Sequence, residues 1–274
     1  MHTILVPTDF SATSKNASRY AIDLAIAIGI SKIVFYHFYE TVLVYTPTGK
    51  LDEEATVGPA KEKSIEELEE FIESLGTIPD SIEVDTFHGA SSVSDGIVEV
   101  LELTNANLIV MGITPGGIVK ETFIGNHSLT IAKKVKVPVL IIPPTAHFDH
   151  FENITFLSDF KEGEKYLPVE KIKGFLSHAH PKFTILHLLS HNETTADNHP
   201  AKSKLEQQFK EFNPVFNFVK SEHYTDDIID YTLVNHVDIL IVVPKFHSLI
   251  DAIFNDHTKK LATHSKIPLL IAHN

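Results

Sequence analysis

The sequence predicts an α/β protein built from two tandem doubly wound domains, each a parallel sheet flanked by helices. Its 274 residues are about twice the commonest domain size. Short Val- and Ile-rich runs alternate with longer stretches of helical period, which is typical of a parallel sheet covered by helices. An internal repeat then divides the chain into two copies of one pattern.

The repeat is clearest where both copies carry the same residues at a fixed spacing. The run "ILVPTDF" has its counterpart in "ITFLSDF", which makes Asp9 and Asp159 equivalent. His37 and His187 follow at the same spacing, each near the end of an apolar run. The final runs, "VPVLIIPP" with Pro138 and "IPLLIAHN" with Pro268, are closer together than that, so the first copy contains about twenty extra residues.

A proline pair marks the boundary between the copies. Pro143 and Pro144 end the last apolar run of the first copy and open the linker "PPTAHFDHFE". Proline interrupts a strand ladder, so we expect domains at residues 1–145 and 150–274. The expected strands are residues 3–7, 32–38, 82–87, 107–112 and 137–142, then 153–157, 182–188, 215–219, 237–243 and 267–272.

Two helices of the first copy have recognisable ends. One is expected from about Ser11 to Ile28, with Gly29 as its stop. Another is expected from Ser64 to Leu75, because Ser64 and Glu67 form a capping box. The insertion before it, residues 41–63, contains proline, glycine and charge without periodicity and is expected to be a loop that could lie over a ligand.

Composition excludes several classes of function. A formal net charge of −13 without a Lys/Arg block disfavours nucleic acid and anionic membranes as partners. The absence of cysteine excludes disulfides, thiolate metal sites and cysteine nucleophiles. The 17 histidines are not joined by carboxylates at ligand spacing, so no protein metal site is expected. Without an export signal or an apolar run long enough to cross a bilayer, we expect a cytoplasmic protein.

The stretch "MGITPGGIVKETFIGNHS", residues 111–128, follows the apolar run "NLIV" and is rich in glycine. Ligands of open parallel sheets bind beyond the carboxyl ends of the strands, where this stretch is expected to lie. Amides of a glycine-rich turn and of the helix predicted to begin near Gly125 form a set of donors suited to phosphate. The alternative is a plain turn, since neither a Walker loop nor a dinucleotide glycine pattern is present.

The run "ILVPTDFS", the segment "HGASSVSDGIVEVLELTNANLIVMG", the glycine stretch and "KVKVPVLIIPP" resemble the universal stress protein family in tandem form. The resemblance implies a five-stranded parallel sheet of order 3-2-1-4-5 in each domain. Nucleotide-binding members hold ATP with a glycine, two residues, a glycine, nine residues, a glycine and then Ser or Thr. Here three residues separate Gly112 from Gly116, eight separate Gly116 from Gly125, and Asn126 replaces the hydroxyl residue.

The same resemblance implies the rest of the site. Ser128 stands where many members place a second hydroxyl, Asp9 would bind the adenosine part, and Pro7 and Thr8 would line the pocket. The expected cofactor-binding residues are Pro7, Thr8, Asp9, Gly112, Gly116, Gly125, Asn126 and Ser128. The expected ligand is ATP, AMP or ADP, with Mg²⁺ delivered by the nucleotide.

The second copy lacks the glycines. At the spacing that relates Pro138 to Pro268, Gly112, Gly116 and Gly125 correspond to Val242, Phe246 and Asn255. Side chains at these positions block the approach of a phosphate to bare backbone. We therefore expect the second domain not to bind ATP in the family manner and to have a structural role or another ligand.

Three functional hypotheses follow. The first is a stress-linked sensor or regulator that binds adenine nucleotide in its first domain and acts on an unidentified protein partner. No set of residues indicates a catalytic base, so an enzyme is not expected, although slow ATP hydrolysis stays open. The second is an interaction scaffold without nucleotide. The third is a nucleotide hydrolase or adenylyl transferase of the same superfamily. The family commonly dimerises through its last strand, which implies an intramolecular pseudo-dimer here and leaves a homodimer of two chains open.

Overall fold

The computed structural model describes residues 2–90, 93–113, 124–158, 167–178, 180–189, 200–243 and 267–272. Ten strands and seven α-helices lie along these residues, and within each half most strands are followed by a helix. The strands are β1 (Thr3–Thr8), β2 (Lys32–Phe38), β3 (Glu83–Gly89), β4 (Leu108–Gly112), β5 (Val139–Ile142), β6 (Asn153–Leu157), β7 (Lys182–Leu189), β8 (Val215–Lys220), β9 (Ile239–Val242) and β10 (Leu269–Ile271). The helices are α1 (Ala12–Ile28), α2 (Glu53–Glu73), α3 (Val93–Thr104), α4 (Ile124–Lys134), α5 (Val169–Leu176), α6 (Pro200–Gln208) and α7 (Tyr224–Val234).

All ten strands join one sheet in the order β3-β2-β1-β4-β5-β10-β9-β6-β7-β8. The first five strands have the order 3-2-1-4-5 that the family resemblance implies, and the last five repeat it from the opposite end. Every pairing within a half is parallel. The predicted α/β fold and strand order are confirmed.

The two halves meet through their last strands. β5 and β10 pair antiparallel, and Leu140 faces Leu270, its own counterpart in the repeat. The flanking pairs, Val139 with Ile271 and Ile141 with Leu269, are counterparts of each other in the repeat. This register defines a local pseudo-twofold axis between Leu140 and Leu270. The final strands therefore cover each other's edges, as expected of strands that would otherwise expose apolar ladders.

Apolar layers on both faces of the sheet run without interruption across this junction. One layer packs Ile4 and Leu140 of the first half with Ile154 and Leu270 of the second. A second, separate layer likewise contains residues of both halves. The halves are therefore bound by side-chain packing as well as by the β5–β10 ladder.

Helix α1 has the ends that the sequence predicts. Ser11 is its N-cap, and the Ser11 side chain accepts a hydrogen bond from the amide of Ser14. Gly29 ends the helix with φ 69°, a left-handed conformation that favours glycine. Its buried stripe includes Ala17, Ala21 and Leu24.

Helix α2 corrects one prediction. It begins at Glu53 rather than Ser64, so half of the predicted loop 41–63 is helical. Asp52 is the N-cap, and its carboxylate accepts a hydrogen bond from the amide of Ala55 at 3.0 Å. Acidic residues in the first turn also stabilise the helix, because they lie at the positive end of the helix dipole. These contributions outweigh the interruption that Gly58 and Pro59 indicate in the sequence. Ser64 lies inside the helix and caps nothing.

Candidate functional site

The strand order reverses between β1 and β4, and the two strands part there. β1 pairs with β2 along its whole length, to Thr8 opposite His37. Its ladder with β4 contains only the two pairs Ile4–Leu108 and Leu5–Ile109. Pro7 contributes to this early end, because it has no amide proton to donate. This switch point at the carboxyl edge of the sheet is the place where the ligand crevice of open α/β sheets is found.

Asp9 lies at the mouth of this crevice, one residue beyond β1. Its Oδ1 accepts a hydrogen bond from the amide of Ser11 at 3.1 Å. Its Oδ2 is buried and has no donor among the described residues. Burying a carboxylate oxygen without a donor is costly, so this atom is suited to accept a hydroxyl or N–H from a ligand.

Pro7 and Thr8 are both buried in the last part of β1. The Thr8 hydroxyl donates to the Ser14 hydroxyl at 3.0 Å and accepts from the amide of Phe10 at 3.1 Å. Phe10 has φ 63°, an uncommon conformation for a bulky residue. The polar network of Thr8 therefore supports a strained turn, and that turn holds Asp9 at the crevice.

Gly112 ends β4 against the first turn of α1. A Cβ atom at this position would lie 2.7 Å from the carbonyl oxygen of Thr13 and 2.7 Å from its methyl carbon. Real side-chain carbons do not approach backbone so closely, so the packing of α1 by itself requires glycine here. The sequence interpretation assigned this glycine to phosphate; the structure gives it a packing role that is independent of any ligand.

The other motif residues surround the start of α4. Gly125 and Asn126 fall in the first turn of this helix, where amides lack intrahelical acceptors. Ser128 is fully buried and donates its hydroxyl proton to the carbonyl of Gly112 at 2.8 Å. That bond ties α4 to the end of β4. Gly116 lies outside the described residues.

A cluster that sequence reasoning missed joins β2, β3 and α2 next to the crevice. His37 and His88 face each other in the β2–β3 register, and the Ser64 hydroxyl lies 2.8 Å and 2.9 Å from their Nδ1 atoms. A hydroxyl can donate to one ring and accept from the other, which satisfies all three groups. The Phe10 ring packs on His37 with centroids 4.2 Å apart.

Burial controls the charge of the cluster. Desolvation lowers the pKa of His37 to about 4, against a weaker opposing effect of Glu67, and it also lowers the pKa of His88. Both rings are therefore neutral near pH 7. The sequence does show two histidines at the ends of adjacent predicted strands. Ser64 was not linked to them, because it was assigned as a helix cap.

The sheet register corrects the alignment of the two halves by one residue. Asn107 accepts from the amides of His2 and Thr3, and Asp238 accepts from those of Glu152 and Asn153. The step from Asn107 to Asp238 is one residue longer than the step from Pro138 to Pro268. The pairings of β4 and β9 with β1 and β6 follow the same longer step.

The counterpart of Gly112 is therefore Val243 and not Val242. Either residue places a side chain where the first half has none. Asp159, Phe246 and Asn255 lie outside the described residues.

The residues that the structure describes contain neither a metal-binding cluster nor a membrane-spanning helix. No group of three or more His, Asp or Glu side chains is arranged to hold a metal ion in this part of the chain. None of its helices is long and apolar enough to cross a membrane.

Comparison with known proteins shows which family has this sequence pattern and this fold. The family model described as the universal stress protein family matches residues 1–143, and no curated protein matches the chain with significance. A universal stress protein from Archaeoglobus fulgidus is 17% identical over 99% of this chain and 96% of its own, with a TM-score of 0.66. A putative universal stress protein from Pseudomonas aeruginosa is 10% identical over 99% of this chain and 93% of its own, with a TM-score of 0.59. At these identities the solved structures establish the fold.

Proposed function

Because the chain belongs to the universal stress protein family, we propose that its first domain, residues 1–145, binds an adenine nucleotide such as ATP at the crevice between β1 and β4. The observation that carries this proposal is the buried Oδ2 of Asp9, which has no donor among the described residues. A ribose hydroxyl or a base N–H would supply the missing hydrogen bond.

The phosphates would lie at the first turn of α4. Gly125 and Asn126 provide backbone amides there, and the positive end of the helix dipole favours an anion. Gly112 and Ser128 would act through position, because their contacts fix the end of β4 against α1 and α4. Gly116 is included in the proposed site because it corresponds to the second glycine of the family motif. Mg²⁺ would arrive with the nucleotide and neutralise its phosphates.

The second domain, residues 150–274, would support the first rather than bind ATP. Val243 occupies the position equivalent to Gly112, and β10 closes the edge of β5. In this proposal the protein is a cytoplasmic nucleotide sensor or regulator. The scaffold hypothesis used the apolar final strands for association, and the β5–β10 pairing occupies both of them within one chain.

Calorimetric titration of the full chain with ATP, with and without Mg²⁺, tests the proposal. One site per chain is expected. Asp9→Asn should weaken binding by about 10- to 100-fold, the loss expected for a hydrogen bond to a charged group. Asp159→Asn changes the equivalent residue of the second half and should leave the affinity unaltered. Absence of binding, or equal losses in both variants, would refute the assignment.

A further inference from the structure

The described surface has one concentration of exposed apolar side chains. Ten large apolar residues are exposed among the residues that the structure describes, and five of these lie between residues 42 and 51. Val42 is 80% exposed, Leu43 60% and Tyr45 59%. Single exposed apolar residues need no explanation, but several in one short segment are typical of an interaction site.

These side chains are displayed on an ordered β-hairpin, residues 44–52, and on the two residues before it. Tyr45 and Leu51 form an antiparallel bridge. The amide of Thr46 donates to the carbonyl of Lys50 at 2.7 Å, and the amide of Gly49 donates to the carbonyl of Thr46 at 2.8 Å. Pro47 and Gly49 suit this three-residue loop, in which a type I turn is followed by a left-handed residue; Gly49 has φ 78°.

The hairpin is also fixed to the start of α2. The amide of Asp52 donates to the carbonyl of Val44 at 2.8 Å. The amide of Val44 donates to the hydroxyl of Thr56, which is buried in α2. The apolar side chains are therefore presented in a defined arrangement, which reduces the ordering cost of binding.

Acidic side chains border the hairpin on both sides. Glu40 precedes it and Asp52, Glu53 and Glu54 follow it, while Lys50 is the only basic residue from 40 to 54. Helix α2 continues this character with eight Glu and two Lys in residues 53–73.

This charge decides which partner fits. Two copies of the chain would bring acidic surfaces together, which opposes self-association through the hairpin. Nucleic acid and anionic membranes are repelled for the same reason. A protein segment with Lys or Arg beside bulky apolar side chains complements both properties of the surface.

We propose that residues 42–52, which are the hairpin and the two residues before it, and the first turn of α2 form a docking surface for a basic amphipathic helix of a partner protein. The apolar face of that helix packs on Val42, Leu43 and Tyr45, and its basic residues pair with the acidic border. This inference is independent of nucleotide binding.

Fluorescence anisotropy with a labelled Leu/Lys amphipathic peptide of about five helical turns, titrated with the full chain without nucleotide, tests the proposal. The double substitution Leu43→Ser, Tyr45→Ser should weaken binding by about tenfold or more, as for loss of central apolar anchors. The matched control is Leu233→Ser, Val234→Ser, which removes two exposed apolar residues, 53% and 77% exposed, from the end of α7. It should bind like the unmodified chain.

Four further outcomes decide the matter. A Leu/Glu peptide of the same pattern should not bind, and binding of the Leu/Lys peptide should weaken as salt is raised. Equal loss in both double variants would overturn the proposal, because it would show unspecific attraction to an acidic protein. Self-association of the unmodified chain in sedimentation that is lost in the hairpin variant would assign the surface to a second copy instead.

Discussion

Replacing Gly112 with alanine separates packing from ligand binding at the glycine motif. The added Cβ would lie 2.7 Å from the Thr13 carbonyl oxygen and 3.0 Å from its carbonyl carbon. Comfortable contacts begin at about 3.5 Å, so the first turn of α1 must move by about 0.8 Å. Overpacking of this kind costs about 1–3 kcal/mol. At about 2 kcal/mol, the melting temperature of a chain of this size should fall by about 4–8 °C.

Differential scanning calorimetry of the ligand-free protein measures this effect without reference to any nucleotide. Gly174→Ala is the matched control, because Gly174 lies in α5, has no positive φ, and would have nothing within 4 Å of an added Cβ. That substitution should leave stability unchanged or raise it slightly through helix propensity. An unchanged melting temperature for Gly112→Ala, combined with weaker ATP binding, would refute the packing argument and return this glycine to the ligand.

Three other predictions concern the buried cluster and the junction between the halves. The pKa of His37 in the folded protein, about 4, lies below the unfolded value of 6.5. The unfolded chain therefore binds more protons between these pH values, and the free energy of unfolding should fall by about 1–2 kcal/mol, with solvent screening, as the pH drops from 6.5 to 4. In urea unfolding across this range, the free energy of unfolding of His37→Gln should depend less steeply on pH. Ser64→Ala leaves two imidazole Nδ1 atoms without their shared partner and should lower the free energy of unfolding by about 1–3 kcal/mol, whereas exposed Ser74→Ala, which loses a bond within its own helix, should cost less. Leu140→Asp and Leu270→Asp each bury a charge at the pseudo-twofold axis and should each cost at least about 3 kcal/mol in urea unfolding; a large inequality between them would contradict the symmetry.

The fold was predictable because its signals are local and repeated. The buried strands are short runs rich in apolar residues, and the ends of α1 are fixed by Ser11 and Gly29. These features act within a few residues of chain, so periodicity and capping rules find them. The strand order came from the family resemblance, since the order of strands in a sheet does not follow from residue patterns alone.

The start of α2 was not predictable from the same rules. Gly58 and Pro59 indicate a loop, and Ser64 with Glu67 has the spacing of a capping box. The structure places Ser64 inside the helix, where its hydroxyl bridges two strands that are distant in sequence. Contacts across 27 and 24 positions of the chain leave no trace in local patterns. The Pro47–Gly49 turn, by contrast, was a readable signal for the hairpin.

The position of the candidate site was predictable from the sequence, but the separate roles of its residues were not. The repeat and the parallel fold place Asp9 and the glycine stretch at one edge of the sheet. Which glycine is required by packing depends on the approach of α1 to β4 in space. Ser128 likewise matches the motif by sequence, while its proton is used by the carbonyl of Gly112.

The two halves share a sheet and differ in what covers its carboxyl edge. In the first half, the 21-residue helix α2 reaches His37 through Ser64. In the second half, the equivalent His187 donates instead to the carbonyl of Ser158 at 2.8 Å, and helix α6 has nine residues. Among the described residues, α2 therefore joins the histidine cluster to the acidic hairpin surface in the first half. Phe10, which follows Asp9, packs on His37 and on Phe71 of α2, so side-chain contacts connect the end of β1 with the helix whose first turn borders the hairpin.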